Sequence, residues 1–149
     1  MIIESDATRA MDSGNRTYWE SELETLPRAE LEKLQLQRLN ESLHLAARSP
    51  HYAKCAQIGR MLREGIKSIE QIRELPFTTK DDLRQDFPWG FLAADKREVI
   101  RLHSSSGTTG NPTVVFHNQH DLASWANLMA RSLYAAGVRQ TDVFQNMSG

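Results

Sequence analysis

Charged residues thin out abruptly about two thirds of the way along this chain. Residues 1–97 hold 15 Lys+Arg and 16 Asp+Glu, so 31 of 97 side chains are charged. Residues 98–149 hold three of each, 6 of 52. A charge is costly to bury unless it is paired, so the charge-poor stretch is suited to an interior and the first 97 residues to a solvated surface. The pattern predicts a mainly helical, water-facing region that leads into a segment meant to be enclosed. Further limits follow from composition. A formal charge of −1 leaves no broad basic footprint, which argues against a nucleic-acid partner. The single cysteine, Cys55, excludes an internal disulfide framework and a thiolate-rich metal site. No apolar run approaches the ~20 residues that span a bilayer, so no membrane partner is expected. The polar start MIIESDATRAMDSGNR lacks the apolar core of a secretory signal, so the expected location is cytoplasmic.

Local patterns divide the chain further. Residues 1–16 carry no apolar periodicity and read as a loose tail. Residues 17–97 form the helical region. Trp19, Leu23 and Leu26 suggest a short helix over Tyr18–Leu26. A long helix is expected to start at Thr25-Leu26-Pro27, with Thr25 as N-cap, and to run to about Arg48. Leu36, Leu39, Leu43, Ala46 and Ala47 then share one face, and Ser49-Pro50 ends the helix. A shorter helix is expected from about Tyr52 to Gly59, and another over Ser68–Glu74 with Ser68 as cap and Ile69 and Ile72 packing. Thr79 can accept from the N–H of Asp82 and open a helix that Phe87-Pro88-Trp89-Gly90 closes. Residues 98–149 change texture: strands over Val99–His103 and Thr113–His117, then a helix opened by Asn118 or His120. The apolar face of that helix is Leu122, Trp125, Ala126, Met129, Leu133 and Ala136. Gly137 stands at its C-cap, and a further strand covers Asp142–Met147. Strand, polar loop, strand, helix, strand suits the start of an α/β sheet. So short a sheet with one helix cannot cover both its faces, so the chain reads as part of a longer protein.

The loop Ser104–Pro112 carries the chemistry. Three serines, two threonines and two glycines cannot build a core. They suit a backbone that approaches a phosphate chain, with Gly107 and Gly110 free of Cβ and successive N–H groups forming an anion-binding concavity. Hydroxyls of Ser105, Ser106, Thr108 and Thr109 add donors. A Walker A loop fails because Asn111-Pro112 follows Gly110, and G-x-G-x-x-G fails because only Gly107-Thr108-Thr109-Gly110 is present. A flexible Ser/Gly linker is the competing reading.

Ser105-Ser106-Gly107-Thr108-Thr109-Gly110-Asn111-Pro112-Thr113 resembles the phosphate loop of the adenylate-forming enzymes, the acyl-CoA synthetase superfamily. Leu75-Pro76-Phe77-Thr78-Thr79-Lys80-Asp81-Asp82-Leu83-Arg84 and Phe87-Pro88-Trp89-Gly90 resemble its phenylacetate–CoA ligase branch, as do Glu30-Leu31 through Gln37-Arg38-Leu39 and Ser49-Pro50-His51-Tyr52. The resemblance covers about residues 18–149. It implies an α/β fold in which the helical region precedes the first strands and helix of the large N-terminal domain, here incomplete. It implies a ligase that activates an aryl acid such as phenylacetate with ATP and passes the acyl group to coenzyme A. Its partners are then a small carboxylic acid, ATP and coenzyme A. Ser105, Ser106, Gly107, Thr108, Thr109 and Gly110 inherit the ATP phosphates, with Ser104, Asn111 and Thr113 as additional candidates. Asn111 stands where most family loops have lysine. The magnesium-holding glutamate, the ribose-binding aspartate and the adenylating lysine have no counterpart here, so catalytic and metal-ligating residues are expected outside this chain. A non-catalytic nucleotide-binding or interaction piece of the same ancestry is the alternative. The oligomeric state is open, a homodimer included.

Other residues read plainly. His117 and His120, with Asp121 beside them, lack the set that completes a metal site. His103 is expected to be an ordinary strand residue. Cys55 is expected to be a buried, inert thiol. Trp19, Trp89 and Trp125 read as core anchors, since no basic stripe accompanies them.

Overall fold

A computed structural model describes residues 17–105, 112–143, 145 and 147. They group into two units: Pro27–Ala123 forms one, and segments from both ends of the chain, up to Leu26 and from Ser124, form the other.

In the Pro27–Ala123 unit, the long helix is α2 (Arg28–Ala46). Pro27 occupies its N-cap position, and its carbonyl takes the first helical bond, from the Leu31 N–H at 3.0 Å. The expected cap Thr25 is not used here. Its hydroxyl instead donates to the Ser21 carbonyl at 2.7 Å, closing α1 (Ser21–Glu24) of the other unit. Leu43 is buried, and Leu36 and Leu39 pack beside it against Met61, Leu62, Ile66 and Leu75. Asn40 lies among these leucines and fastens the same junction with its amide. Its Nδ2 donates to the Leu36 and Ile66 carbonyls at 3.0 and 3.1 Å, and its Oδ1 accepts from the Ile66 N–H at 3.1 Å.

The single helix expected near Tyr52–Gly59 is two: α3 (Pro50–Ala53) and α4 (Ala56–Glu64). Ser49 separates α2 from α3 and serves both. Its buried hydroxyl donates to the Ala46 carbonyl at 2.7 Å and accepts from the Tyr52 N–H at 3.3 Å, with Pro50 in the first turn. Gly59 therefore sits inside α4, and the break falls at Gly65, whose φ of 70° suits glycine. Ile69–Glu74 is a 3-10 helix, where Gln71 accepts from the backbone N–H of Lys67 and Ser68. Ile72 does not pack as expected: it is half-exposed.

Thr79 opens α5 (Lys80–Gln85) as its spacing predicts. Its hydroxyl accepts from the Asp82 N–H at 3.2 Å, and the Asp82 carboxylate accepts from the Thr79 N–H at 2.7 Å. After α5 the chain doubles back at Phe87–Gly90. The Gly90 N–H donates to the Asp86 carbonyl and the Gly90 carbonyl accepts from the His51 N–H, each at 2.8 Å. Asp86 Oδ2 meets His51 Nδ1 at 2.6 Å, the His51 ring stacks on Phe91 at 4.1 Å, and Tyr52 sets its edge against both. The Tyr52 and Thr78 hydroxyls are also in contact.

Two strands follow, β1 (Arg101–Ser104) and β2 (Val114–His117), paired antiparallel with Arg101 opposite His117 and Ser104 opposite Val114. Trp89 stacks on Phe116 at 4.6 Å, with Lys96 Nζ 4.1 Å from the Trp89 ring centre. Asn118, not His120, opens α6 (Gln119–Ala135). Its side chain accepts from the Asp121 N–H at 2.8 Å while the Asp121 carboxylate accepts from the Asn118 N–H at 2.9 Å.

In the other unit Trp19 Nε1 donates to Asn127 Oδ1 at 2.7 Å and its ring lies 5.8 Å from that of Tyr134. Gly137, at φ 96°, ends α6 as expected: its N–H donates to the Tyr134 carbonyl and the Val138 N–H to the Leu133 carbonyl, both at 3.0 Å. Trp125 and Met129, expected to pack, are half-exposed, and so is Leu128. Of the strand expected over Asp142–Met147, Phe144 and Asn146 lie outside the described residues. Asp142 belongs to a turn in which its carboxylate accepts from the Arg139 N–H at 2.7 Å.

Candidate functional site

The β1–β2 hairpin positions the loop. Its charge-free run Val114-Val115-Phe116 and its partner Arg101–Ser104 alternate faces along a twofold period. Pairing continues one rung past Ser104–Val114: the Ser105 N–H donates to the Thr113 carbonyl at 3.0 Å. Ser105 and Thr113, which flank residues 106–112, are therefore held together at one rung.

Of the candidate phosphate-binding residues, Ser104, Ser105 and Thr113 are described, and they cluster at this rung. The Thr113 N–H and the Thr113 hydroxyl each reach Ser105 Oγ at 3.0 Å. The Ser104 hydroxyl donates to the Ser105 carbonyl at 3.1 Å. Ser106, Gly107, Thr108, Thr109, Gly110 and Asn111 lie outside the described residues.

Strand register puts Arg101, His103 and Ser105 on one hairpin face with His117, Val115 and Thr113. His103 and His117 are diagonal neighbours there, their rings 4.9 Å apart and edge to face. The strands hold no carboxylate, and they place one guanidinium and two imidazoles on this face. Such a face, ending in hydroxyls and backbone N–H groups, is suited to an anion. Nothing on it is arranged as a nucleophile with a base.

His103 is thus a strand residue, as expected, yet it also shares the Ser105 face, which only the register reveals. His120 and Asp121 stand in the first turn of α6, where Asp121 serves the cap. Cys55 is half-buried at the start of α4, not fully enclosed. Among the described residues no group of three or more His, Cys, Asp and Glu side chains could hold a metal ion, and no helix is long and apolar enough to cross a membrane. The pairing of His51 with Asp86 has no signal in the sequence: 35 positions separate them, and neither lies in a motif for that contact.

No family model matches the chain. Individual proteins do. The phenylacetate-coenzyme A ligase of Thermus thermophilus is 41% identical over 132 residues, which is 88% of this chain and 30% of that protein. The phenylacetate-coenzyme A ligase of Pseudomonas putida is 43% identical over 122 residues, 80% of this chain and 28% of its own length. That of Escherichia coli K12 is 41% identical over 121 residues, with the same coverage. Among solved structures, 2-hydroxyisobutyryl-CoA ligase in complex with 2-HIB-AMP and CoA superposes with a TM-score of 0.70 at 30% identity, over 79% of this chain and 26% of that one. The chain spans less than a third of the length of these relatives. Sequence and fold thus agree, over about four fifths of this chain, with one part of the N-terminal domain of the adenylate-forming ligases, and the sequence there is similar to that of phenylacetate–CoA ligases.

Proposed function

We propose that this chain supplies the phosphate-binding wall of an ATP-dependent acid–CoA ligase acting on an aryl acid, with phenylacetate as the substrate to test first. The observation that carries this reading is the 40–43% identity to phenylacetate-coenzyme A ligases over at least 80% of the chain. The anchored hydroxyl cluster at Ser104, Ser105 and Thr113 supports it.

In this reaction a carboxylate oxygen attacks the α-phosphorus of ATP and the bond to the β-phosphate oxygen breaks, giving acyl-adenylate and pyrophosphate. The coenzyme A thiol then adds to the acyl carbon, loses its proton and expels AMP. Ser105, Ser106, Gly107, Thr108, Thr109 and Gly110, flanked by Ser104, Asn111 and Thr113, hold the β- and γ-phosphates, where negative charge builds on the leaving pyrophosphate. Fixed donors aimed at developing charge stabilise the transition state more than the ground state. Bound magnesium would share that charge, and this reading assigns its protein ligands, with the adenylating lysine, to sequence outside this chain. Residues 98–149 then begin the AMP-binding subdomain, 17–97 form the helical region before it and 1–16 a tail. A cytoplasmic location accords with ATP and coenzyme A as substrates.

The test is amide NMR of the chain titrated with pyrophosphate. Expected are shifts at Ser104, Ser105, Thr113 and the loop, all abolished by Gly107→Val with the rest of the spectrum unchanged. Pyrophosphate that leaves the hairpin end unmoved overturns the reading. A second reading, a non-catalytic nucleotide-binding or interaction piece, is favoured by one observation. Leu102, Val115, Leu128 and Met129 are each more than half exposed. The chain alone is expected to be inactive under both, so pyrophosphate release with ATP, magnesium, phenylacetate and coenzyme A is measured on a longer polypeptide that carries this chain together with the remaining ligase segments. Release that Gly107→Val abolishes supports the ligase reading, and no release supports the second.

A further inference from the structure

We propose that Thr113 is a positioning residue, not a phosphate ligand: it fixes the Ser105 hydroxyl as a pure hydrogen-bond donor and so makes that position selective for an acceptor-only oxygen. The inference rests on the phosphate-loop reading above and deepens it.

A serine hydroxyl has one donor hydrogen and two acceptor lone pairs. At Ser105 both acceptor sites are taken, one by the Thr113 N–H and one by the Thr113 hydroxyl, each at 3.0 Å. The other polar groups of Ser105 are committed as well. Its N–H donates to the Thr113 carbonyl at 3.0 Å, and its carbonyl accepts from the Ser104 hydroxyl at 3.1 Å. Among the described residues, what remains is the Ser105 O–H hydrogen. A phosphate oxygen at neutral pH only accepts, so the polarity matches. A metal ion or an ammonium group needs a lone pair from this oxygen and finds none. An ordinary serine rotates its hydroxyl to suit either visitor.

The arrangement departs from a regular antiparallel rung in an informative way. In a closely hydrogen-bonded pair each residue's N–H meets the other's carbonyl. Here the Thr113 N–H is turned onto the Ser105 side chain instead. The ladder gives up one backbone bond, and the hydroxyl is held by two. Arg101, His103 and His117 occupy the same face, with no carboxylate on either strand to repel an anion.

The experiment is titration of pyrophosphate into the whole chain by calorimetry, for wild type, Thr113→Val, Thr113→Ser, Ser105→Ala and the Ser105→Ala/Thr113→Val double variant. Valine keeps the backbone N–H and the shape but deletes the second donor to Ser105. Loss of one preorganised neutral hydrogen bond corresponds to roughly three- to tenfold weaker binding for Thr113→Val. Thr113→Ser keeps the donor and should stay within about twofold of wild type, and the double variant should bind no more weakly than Ser105→Ala alone. Far-UV circular dichroism identical across the set keeps the comparison at the site. Wild-type binding with Thr113→Val unchanged overturns the positioning role and leaves the phosphate-loop reading standing. Additive losses in the double variant make Thr113 a ligand in its own right and overturn it equally. A wild-type chain that binds no pyrophosphate overturns both.

Discussion

One substitution, glycine to alanine, should have opposite effects at two places in the Pro27–Ala123 unit. At Gly90 a Cβ would stand 2.2 Å from Asp86 Cβ, 2.6 Å from the Asp86 carbonyl oxygen and 3.0 Å from Asp86 Cγ. To restore ordinary contact, Asp86 must retreat by about 1 Å, a shift of the size that overpacked interiors resist at a cost of about 1–3 kcal/mol. The obstacle includes backbone, so a rotamer change does not relieve it. Asp86 also closes α5 through its N–H and holds His51 by its carboxylate, and Gly90 itself bonds to Asp86 and His51 through its backbone. Losing one or two of those bonds adds about 0.5–1.5 kcal/mol each. Gly90→Ala should therefore destabilise the unit by about 2–4 kcal/mol. Gly59 sits inside α4, and its Cβ would meet only Arg63 Nη1 at 3.6 Å, ordinary contact. There alanine gains helix propensity, so Gly59→Ala should stabilise by about 0.5–1 kcal/mol. Urea unfolding followed by far-UV circular dichroism measures both. A Gly90→Ala chain as stable as wild type, or a Gly59→Ala chain that loses stability to the same degree, would refute the reasoning.

Asn40→Ala leaves the buried Ile66 without partners for its N–H and carbonyl and should cost about 2–3 kcal/mol in the same assay; faster hydrogen exchange at the Ile66 amide is the local check, and unchanged protection would count against it. The Thr79 hydroxyl, then the Thr79 N–H, hold the Asp82 carboxyl below its usual range. The folded pKa is depressed, so this contribution is present above the unfolded value and disappears as pH falls through the folded one, below about pH 4. Thr79→Ala should move the Asp82 titration upward in carboxyl NMR, and an unmoved titration would remove the hydroxyl as its cause. Asn111→Lys should tighten pyrophosphate binding on the order of 1 kcal/mol through a charge-assisted contact. Equal or weaker binding in calorimetry would place position 111 away from the phosphates.

What the sequence alone determined about this protein is mostly what lies within one helical turn or along one strand. Thr79 with Asp82, the opening of α6 by Asn118 and the Gly137 stop are pairs or positions three to five residues apart, brought together by helix geometry itself. The Leu36, Leu39 and Leu43 stripe was legible for the same reason: a period of 3.6 marks a face. Thr25 shows the limit even at short range, because a hydroxyl between two helices can close one or open the other, and here it closes α1. The loop motif marked the candidate site, yet not its anchoring. Ser105 with Thr113, Asn40 with Ile66, and His51 with Asp86 are separated by 8, 26 and 35 positions, and no periodicity selects them. They are decided when strand register and helix packing bring groups together, because a buried or half-buried polar atom must find a partner among whatever the fold sets beside it. Trp89 likewise read as an anchor, but that it lies flat on Phe116 with Lys96 above its ring is a property of the hairpin's docking, which exists only once the sheet is formed.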